Sequence, residues 1–368
     1  MMNTKIVTIR GQEGVFSEEE EQALQEAGRI LRGGGLVAFP TETVYGLGGD
    51  ALNPASARKI YAAKGRPSDN PLIVHIARLG DMDIVAGRVP EAALRLGQAF
   101  WPGPLTMVLP RAKTVPKETT GGLETVAVRM PSHPVARRLI TCGGGYIAAP
   151  SANLSGRPSP TSARYVIEDM AGRIDMIIDG GEGEIGLEST IVDLTVDPPQ
   201  ILRPGYITRE MLSEVLGQVS LDQTILTTGS GQAPRAPGMK YRHYAPRGEM
   251  TIVSGQAAEV TAYINVQAAR DRAQGHKVGV IGTDESLPEY QADLVCSLGS
   301  RRDEESIARH LYGILRRFDD EQVTRIYSES FDTMGLGQAI MNRLLKAAGH
   351  RVVALGGNRD QSAGAERS

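Results

Sequence analysis

The sequence of 368 residues has little cysteine and no long apolar run. Its two cysteines, Cys142 and Cys296, lie far apart and form no CxxC unit, so neither a disulfide framework nor a zinc site is indicated. No apolar stretch approaches the roughly 20 residues that cross a membrane, and the N-terminus lacks the apolar core of a signal peptide. We therefore expect a cytoplasmic protein that makes no membrane contact.

Excess charge of one sign is also missing. The formal net charge of −3 gives the whole chain no attraction to nucleic acid or membrane, so any contact with RNA would have to come from a local basic stretch. Hydrophobic residues make up 41% and charged residues 23%, which argues against wholesale disorder. At about 150 residues per domain, the length predicts two domains.

The first part of the chain predicts a mixed α/β sheet with flanking helices. Ser17 is a suitable cap for a helix over 17–32, and Asn53 with Pro54 opens a second helix. Short apolar strands then alternate irregularly with helices as far as a helix at 208–216, which favours a mixed sheet over strict βαβ winding. The predicted strands are 36–39, 72–76, 105–109, 126–130, 146–149, 176–179, 190–194 and 200–203.

The pattern changes after residue 217. Residues 218–248 contain several prolines and a basic stretch, APRAPGMKYRHYAPRG, and are predicted to form a linker. Strands and helices then alternate regularly, which predicts a smaller Rossmann-like parallel α/β domain. We therefore expect a catalytic domain at 15–217, a second domain at 249–356 and a disordered tail at 357–368.

Polar residues gather beside several predicted strands. The segment PTETVYGLGGDA at 40–51 places hydroxyls and glycines where a ligand can approach the backbone, although a plain glycine-rich turn explains it equally well. Ser151, Asn153 and Ser159 lie in APSANLSGRPSPTS, where they can bind phosphate oxygens without adding charge; the alternative is a flexible linker. The segment 40–51 contains neither a Walker A loop nor a GxGxxG, so ATP, if it is bound there, would have to be bound in another way.

Basic residues flank the same strands. Lys64 and Arg66 lie close together on a predicted loop, an arrangement that suits phosphate or carboxylate, although a solvated basic loop is the commoner case. Arg129 ends an apolar strand, where either a bound carboxylate or a structural salt bridge would neutralise it. His75 alone is more typical of a core residue. The histidine spacing indicates no metal site.

The order of these segments is more specific than any one of them. The chain carries FPTETVYGLG, KGRP, NPL, WPGPLT, VAVRMP, APSANLSG, ESTIVD and LRPG in succession. Over about residues 20–210 it resembles the YrdC-type threonylcarbamoyl-AMP synthases. APGMKYRHYAP and GLGQAIMNRLLKAA resemble the longer family form, which has a second, Rossmann-like domain.

The resemblance implies an enzyme, a nucleotidyltransferase. Its substrates would be L-threonine, bicarbonate or CO2, and ATP, and its products L-threonylcarbamoyl-AMP and pyrophosphate, used to modify the tRNA adenosine next to the anticodon. Mg²⁺ would be held mainly by the ATP phosphates and water. The expected partner is a downstream tRNA threonylcarbamoyl-transferase, with a weak contact to tRNA itself.

The resemblance also assigns site residues by their motifs. The catalytic positions would be Lys64, Arg66, Ser151 and Asn153. Threonine would be bound by Thr43, His75, Arg129, Ala149 through its backbone, and Ser189. ATP would be bound by Arg66, Asn70, Thr125, Ser151, Ser159, Arg203 and Tyr244. Because Tyr244 lies in the linker, a contact with ATP would make the linker a lid over the site.

Two other functions compete with this one. A related module could bind RNA without catalysis, since cations interleaved with Tyr241 and Tyr244 can stack bases. A carbamoyltransferase component of a maturation enzyme is the third candidate, but such proteins usually carry cysteine-rich or acylphosphatase-like segments, which this chain lacks.

Overall fold

The computed structural model describes residues 3–11, 14–222, 225, 236 and 244–356. Most of the predicted linker, including Tyr241, lies outside the described residues, as does the tail predicted at 357–368.

The described helices alternate with strands in both halves of the chain. The helices are α1 (Glu18–Arg32), α2 (Pro54–Lys64), α3 (Met82–Val85), α4 (Glu91–Phe100), α5 (Pro134–Cys142), α6 (Ala163–Met170), α7 (Arg209–Leu216), α8 (Ala257–Ala273), α9 (Glu304–Asp320) and α10 (Gly335–Ala347). The strands of the first half are β1 (Lys5–Thr8), β2 (Val37–Phe39), β3 (Gly46–Asp50), β4 (Ile73–Ile76), β5 (Leu105–Pro110), β6 (Thr125–Arg129), β7 (Tyr146–Ala149), β8 (Met176–Asp179), β9 (Thr190–Asp193), β10 (Gln200–Arg203) and β11 (Ser220–Leu221). Those of the second half are β12 (Glu249–Ser254), β13 (Val278–Gly282), β14 (Leu294–Ser297), β15 (Arg325–Glu329) and β16 (Val352–Ala354).

Two sheets organise these elements. The first has eleven strands in the order β1-β8-β2-β3-β7-β4-β6-β5-β9-β10-β11, with parallel and antiparallel pairs. The second has five parallel strands in the order β14-β13-β15-β12-β16. The predicted fold class, a mixed sheet plus a smaller parallel α/β domain, is therefore confirmed.

The ends of the first two long helices follow from local sequence. The Ser17 hydroxyl accepts a hydrogen bond from the backbone N–H of Glu20, and the Glu20 carboxylate accepts one from the backbone N–H of Ser17. The two bonds form a capping box. Asn53 caps α2 by accepting from the backbone of Ala55, with Pro54 at the first helical position. Both predicted helix starts are confirmed.

Three strands, β1, β3 and β11, were not predicted. β1 pairs in parallel with β8 and lies, like β11, outside the predicted bounds 15–217. β3 was expected to be a ligand-binding segment or a glycine-rich turn, but it is a strand, antiparallel to β2. Its glycines fit because the strand is tightly packed: a Cβ on Gly48 would come within 2.9 Å of Ile147. Side-chain pattern alone does not reveal such a strand.

The two halves share buried surface. One apolar cluster joins Val44 and Leu187 of the first half to Leu311, Leu315 and Ile340 on α9 and α10. These two helices are therefore packed against the same end of the first domain that carries the predicted site motifs.

Candidate active site

A cavity of about 60 Å³ brings most of the predicted site residues together. It is bordered by β4, by the carboxyl ends of β6, β7 and β10, by the loop after β7 and by Tyr244. The predicted residues that line it are Lys64, Arg66, His75, Arg129, Ala149, Ser151, Asn153, Ser159, Ser189, Arg203 and Tyr244.

The structure places Lys64 on a helix and not on the loop predicted from the sequence. It is the last residue of α2, its side chain is 2% exposed, and Gly65 ends the helix in the left-handed conformation with φ of 62°. The ammonium donates to the backbone carbonyls of Ser151 and Asn153. Burial, and then the charge of Arg66, place the pKa of Lys64 well below its ordinary value. Lys64 thus fixes the 151–153 loop as well as facing the cavity.

Arg66 is also held by backbone carbonyls. Its Nε lies 3.3 Å from the carbonyl oxygen of Asn70 and its Nη2 lies 3.0 Å from that of Pro71. Burial lowers its pKa to about 10, so the guanidinium stays charged at neutral pH. Asn70 itself does not line the cavity, although its Oδ1 is buried without a hydrogen-bond partner.

The loop after β7 is fixed by its own side chains. Ser151 Oγ donates to Asn153 Oδ1 at 2.5 Å, while Asn153 Nδ2 donates to the carbonyls of Leu154 and Arg157 at 2.8 and 2.9 Å. Asn153 therefore shapes the loop, and the Ser151 hydroxyl lies at the cavity wall.

The structure is compatible with both predicted roles of Arg129, the structural salt bridge and the binding of a carboxylate ligand. Its Nη2 donates to Glu42 Oε1 at 2.7 Å and to Thr43 Oγ1 at 2.9 Å, so the buried salt bridge exists. Arg129 also lines the cavity, and its Nε is buried without a partner. It can therefore bind a carboxylate as well. Thr43 contacts Arg129 but does not itself line the cavity.

His75 is adjacent to Arg129, because β4 and β6 pair in parallel with these two residues in register. Its Nδ1 lies 3.1 Å from the carbonyl oxygen of Ile73. Burial, and then the charge of Arg129, lower its pKa to about 3, so the imidazole is neutral at physiological pH. It is at once a satisfied strand residue and part of the cavity wall.

Arg203 and Ser189 form a further part of the wall. Arg203 donates through Nε and Nη2 to the carbonyl of Ser189 at 3.1 and 2.9 Å. The Ser189 hydroxyl lies 2.7 Å from that of Thr106 on β5. Both predicted residues are thus placed by the β9–β10 pair.

Thr125, like Thr43 and Asn70, does not line the cavity. Thr125 begins β6, four residues before Arg129, so the two are separated by about 13 Å along the strand. Two charged residues of the cavity lining, Arg157 and Glu188, were not among the predicted site residues. Arg157 lies in the segment APSANLSGRPSPTS and Glu188 in ESTIVD. Their sequence context does not distinguish a charge at a binding site from a charge that holds two loops together.

No helix among the described residues is long and apolar enough to cross a membrane, and no group of three His, Cys, Asp or Glu side chains there could hold a metal.

A second cavity, of about 700 Å³, lies at the carboxyl edge of the five-stranded sheet and includes Thr283, Arg301 and Glu329.

Comparison with known proteins decides the family. Residues 29–205 match the Sua5/YciO/YrdC family, which is described as "Telomere recombination", and residues 207–349 match the family "Threonylcarbamoyl-AMP synthase, C-terminal domain". The threonylcarbamoyl-AMP synthase of Pyrococcus abyssi is 49% identical over 334 residues, which cover 91% of this chain and 96% of that protein. The chain belongs to the Sua5/YciO/YrdC family.

Other members support the same relationship. A Bacillus subtilis protein, also named threonylcarbamoyl-AMP synthase, is 48% identical over 331 residues, 90% of this chain and 94% of its own. The crystal structure of P. abyssi Sua5 complexed with L-threonine matches with a TM-score of 0.89 at 46% identity, covering 96% of this chain and 100% of that one. The family resemblance drawn from the motifs, including the longer form, is confirmed.

The boundary between the two Sua5 family segments falls between residues 205 and 207. The large sheet nevertheless continues past it, because β11 pairs with β10.

Proposed function

We propose that the chain synthesises L-threonylcarbamoyl-AMP from L-threonine, bicarbonate or CO2, and ATP, with release of pyrophosphate, acting as a nucleotidyltransferase. The observation that carries the proposal is the charge of the cavity. Its lining includes the cations Lys64, Arg66, Arg129, Arg157 and Arg203 and the single carboxylate Glu188. Anionic substrates, a carboxylate and a triphosphate, fit this excess of positive charge.

The type of partner that holds two of these cations supports the same conclusion. Within the described residues, Lys64 and Arg66 donate to backbone carbonyls and form no ion pair. A carbonyl satisfies the hydrogen bond without cancelling the charge, so the positive field remains available to a ligand.

The threonine end of the site would lie at Arg129. Its guanidinium can hold the threonine carboxylate, and Ser189 can contact the small polar side chain. Neutral His75 adds no charge that would repel the threonine amine. The P. abyssi Sua5 structure complexed with L-threonine supports threonine as the ligand.

The chemistry then proceeds in two steps. The threonine amine adds to CO2 and loses a proton, which gives a carbamate. A carbamate oxygen attacks the α-phosphorus, the bond to the bridging oxygen of the β-phosphate breaks, and pyrophosphate leaves with its electron pair. Lys64 and Arg66 would neutralise the repulsion between two anions and the charge that builds on phosphate oxygens. Ser151 and Asn153 would position the reacting groups.

Mg²⁺ would arrive with ATP. The only carboxylate in the cavity lining, Glu188, accepts hydrogen bonds from Ser159, Tyr312 and Arg343. The metal would therefore be bound by phosphates and water rather than by these side chains.

Tyr244 would act as part of a lid. It is buried at the cavity, its backbone is left-handed with φ of 64°, and its ring lies 5.2 Å from that of Tyr312. The neighbouring Ala245 amide donates to the carbonyl of Gly156 at 3.0 Å. Because Tyr244 lines the cavity and the Ala245–Gly156 bond lies beside it, we expect ATP entry to require Tyr244 to move.

The product is a mixed anhydride, which water destroys. We therefore expect it to pass to a tRNA threonylcarbamoyl-transferase in the cytoplasm, with at most a weak contact between this chain and tRNA.

The decisive experiment measures pyrophosphate release from ATP with and without threonine and bicarbonate. We expect release that depends on both, and serine as a matched substrate control should be turned over less well. Turnover without threonine, or none at all, would refute the proposal. RNA binding that falls steeply with salt, without pyrophosphate release, would favour the non-catalytic RNA-binding alternative.

A further inference from the structure

Helices α9 and α10 of the second domain extend three large polar side chains into the first. Tyr312 and Arg316 lie one turn apart on α9, and Arg343 lies on α10; all three are buried. Buried cations are costly unless they are paired, so the partners of these side chains show what the domain contact holds in place.

Tyr312 and Arg343 meet at Glu188. Tyr312 Oη lies 2.8 Å from Glu188 Oε2, and Arg343 Nε lies 3.1 Å from the same oxygen. On the other side, Ser159 Oγ lies 2.6 Å from Glu188 Oε1. Glu188 and Ser159 line the cavity, whereas Tyr312 and Arg343 do not. A continuous chain of contacts therefore runs from the second domain to the cavity wall.

The charge state of Glu188 sets the direction of these hydrogen bonds. Burial alone would raise the pKa of Glu188, but the charges of Arg343 and Arg203 outweigh it and hold that pKa below its ordinary value. An ionised carboxylate only accepts hydrogen bonds, so the hydroxyls of Ser159 and Tyr312 must both donate to it. The Ser159 oxygen then offers only lone pairs to a ligand.

Arg316 anchors the adjoining residues. It donates through Nη1 and Nη2 to Asp169 Oδ1 and Oδ2 at 3.2 and 2.7 Å, and through Nε and Nη2 to the carbonyl of Pro158, the neighbour of Ser159. Asp169 in turn accepts from the backbone of Leu154. The Pro158–Ser159 segment is thus held from both sides by α9 and α10.

We propose that Arg343 and Tyr312 are positioning residues: they hold Glu188, and Glu188 fixes Ser159 as a hydrogen-bond acceptor for a hydroxyl or amino group of the nucleoside part of ATP. This inference rests on the proposed function, because it takes ATP as the ligand. A phosphate oxygen has no proton to give, so it is not the group that Ser159 meets. The second domain is then a part of the nucleotide site rather than an independent attachment.

The test uses the full-length chain and measures binding as well as turnover. Arg343→Met should weaken ATP binding at least about tenfold, because Glu188 loses its charge partner. Arg343→Lys should partly restore it, and Tyr312→Phe should weaken it by about 3- to 10-fold. Threonine binding, measured by calorimetry, should stay unchanged in all three variants. Equal losses of threonine and ATP binding would show a merely structural role and overturn the proposal.

Tyr206→Phe is the matched control. Tyr206 Oη donates to Glu305 Oε1 at 2.8 Å, a bond between the same two domains that lies outside the cavity lining. This variant deletes the same atom as Tyr312→Phe and should leave ATP binding unchanged. If both variants weaken ATP binding equally, general loosening of the interface explains the effect and the proposal is wrong.

A double-mutant cycle keeps the proposal testable if Arg343→Met does not fold. In a Ser159→Ala background, Tyr312→Phe should have no further effect on ATP affinity, whereas additive effects would exclude the chain of contacts. Inorganic tripolyphosphate should bind wild type and Ser159→Ala equally; weaker binding by Ser159→Ala would place Ser159 at a phosphate instead.

If wild type binds ATP but releases no pyrophosphate, the proposed function fails while these binding tests still decide the inference. If it binds no ATP, both fail.

Discussion

Replacing Lys64 by methionine separates a structural role from a catalytic one. Methionine keeps most of the length of the side chain and removes its charge and its donors. In the structure, the Lys64 ammonium donates to the carbonyls of Ser151 and Asn153, and the side chain is buried. The substitution therefore leaves two carbonyls of the 151–153 loop without these donors.

The expected loss can be worked from these contacts. Each buried carbonyl left without a donor costs about 1–3 kcal/mol, and relief from burying a charge offsets part of the total. We expect a net loss of about 2 kcal/mol in the free energy of unfolding, which lowers Tm by about 4–8 °C. Loss of a cation that neutralises phosphate charge should lower kcat by about 10²–10³-fold.

Arg66→Met is the matched control. Arg66 also donates to two carbonyls, but it is half-buried where Lys64 is fully buried, so water can replace part of those bonds. This variant should lose activity and lower Tm by less than Lys64→Met does, since a group that water can reach loses less when its hydrogen bonds are removed. Thermal unfolding and pyrophosphate release are the two assays. A Lys64→Met protein with the wild-type Tm would refute the conclusion that Lys64 fixes the loop.

Three further outcomes are expected. The triphosphate should raise the depressed pKa of Lys64. At a pH between the pKa of Lys64 in the free protein and its pKa in the ATP complex, ATP binding should therefore take up a proton, and it should weaken as the pH rises through that window. Calorimetry in two buffers of different ionisation enthalpy measures the uptake, and no uptake would contradict the prediction. Glu42→Gln should tighten threonine binding by about fivefold, because the threonine carboxylate no longer competes for Arg129; unchanged or weaker binding by calorimetry would exclude this competition. Tyr244→Ala should weaken ATP binding if the linker is a lid, and unchanged affinity and rate would end that hypothesis.

Much of the architecture is legible from the sequence because it depends on local signals. The capping box at Ser17 and the Asn53–Pro54 start of α2 are set by residues within a few positions of each other. β3 is not legible in this way. Its glycines are required by packing against Phe39 on the preceding strand and against Ile147, which is distant in the chain. A glycine-rich strand also lacks the side chains by which strands are recognised.

The site was predictable in its membership but not in its interactions. The motifs identify most of the residues that line the cavity, yet nothing local shows that Lys64 is buried or that Arg129 pairs with Glu42. Glu188 was missed for the same reason. Its significance comes from Tyr312 and Arg343, which are more than 100 residues away along the chain.

The buried cations of this protein differ in what satisfies them. Arg316 and Arg343, which join the two domains, pair with the carboxylates of Asp169 and Glu188, so their charges are largely cancelled where they lie. Lys64 and Arg66 donate to backbone carbonyls, which fix their positions but leave their charges uncompensated. Such uncompensated charge lowers the stability of the free protein. A site for a triphosphate needs that charge, because the same cations stabilise the anion once it binds. For Lys64 and Arg66, the carbonyl partners therefore leave the charge available to the proposed substrates, whereas the carboxylate partners of Arg316 and Arg343 fix those cations in the fold.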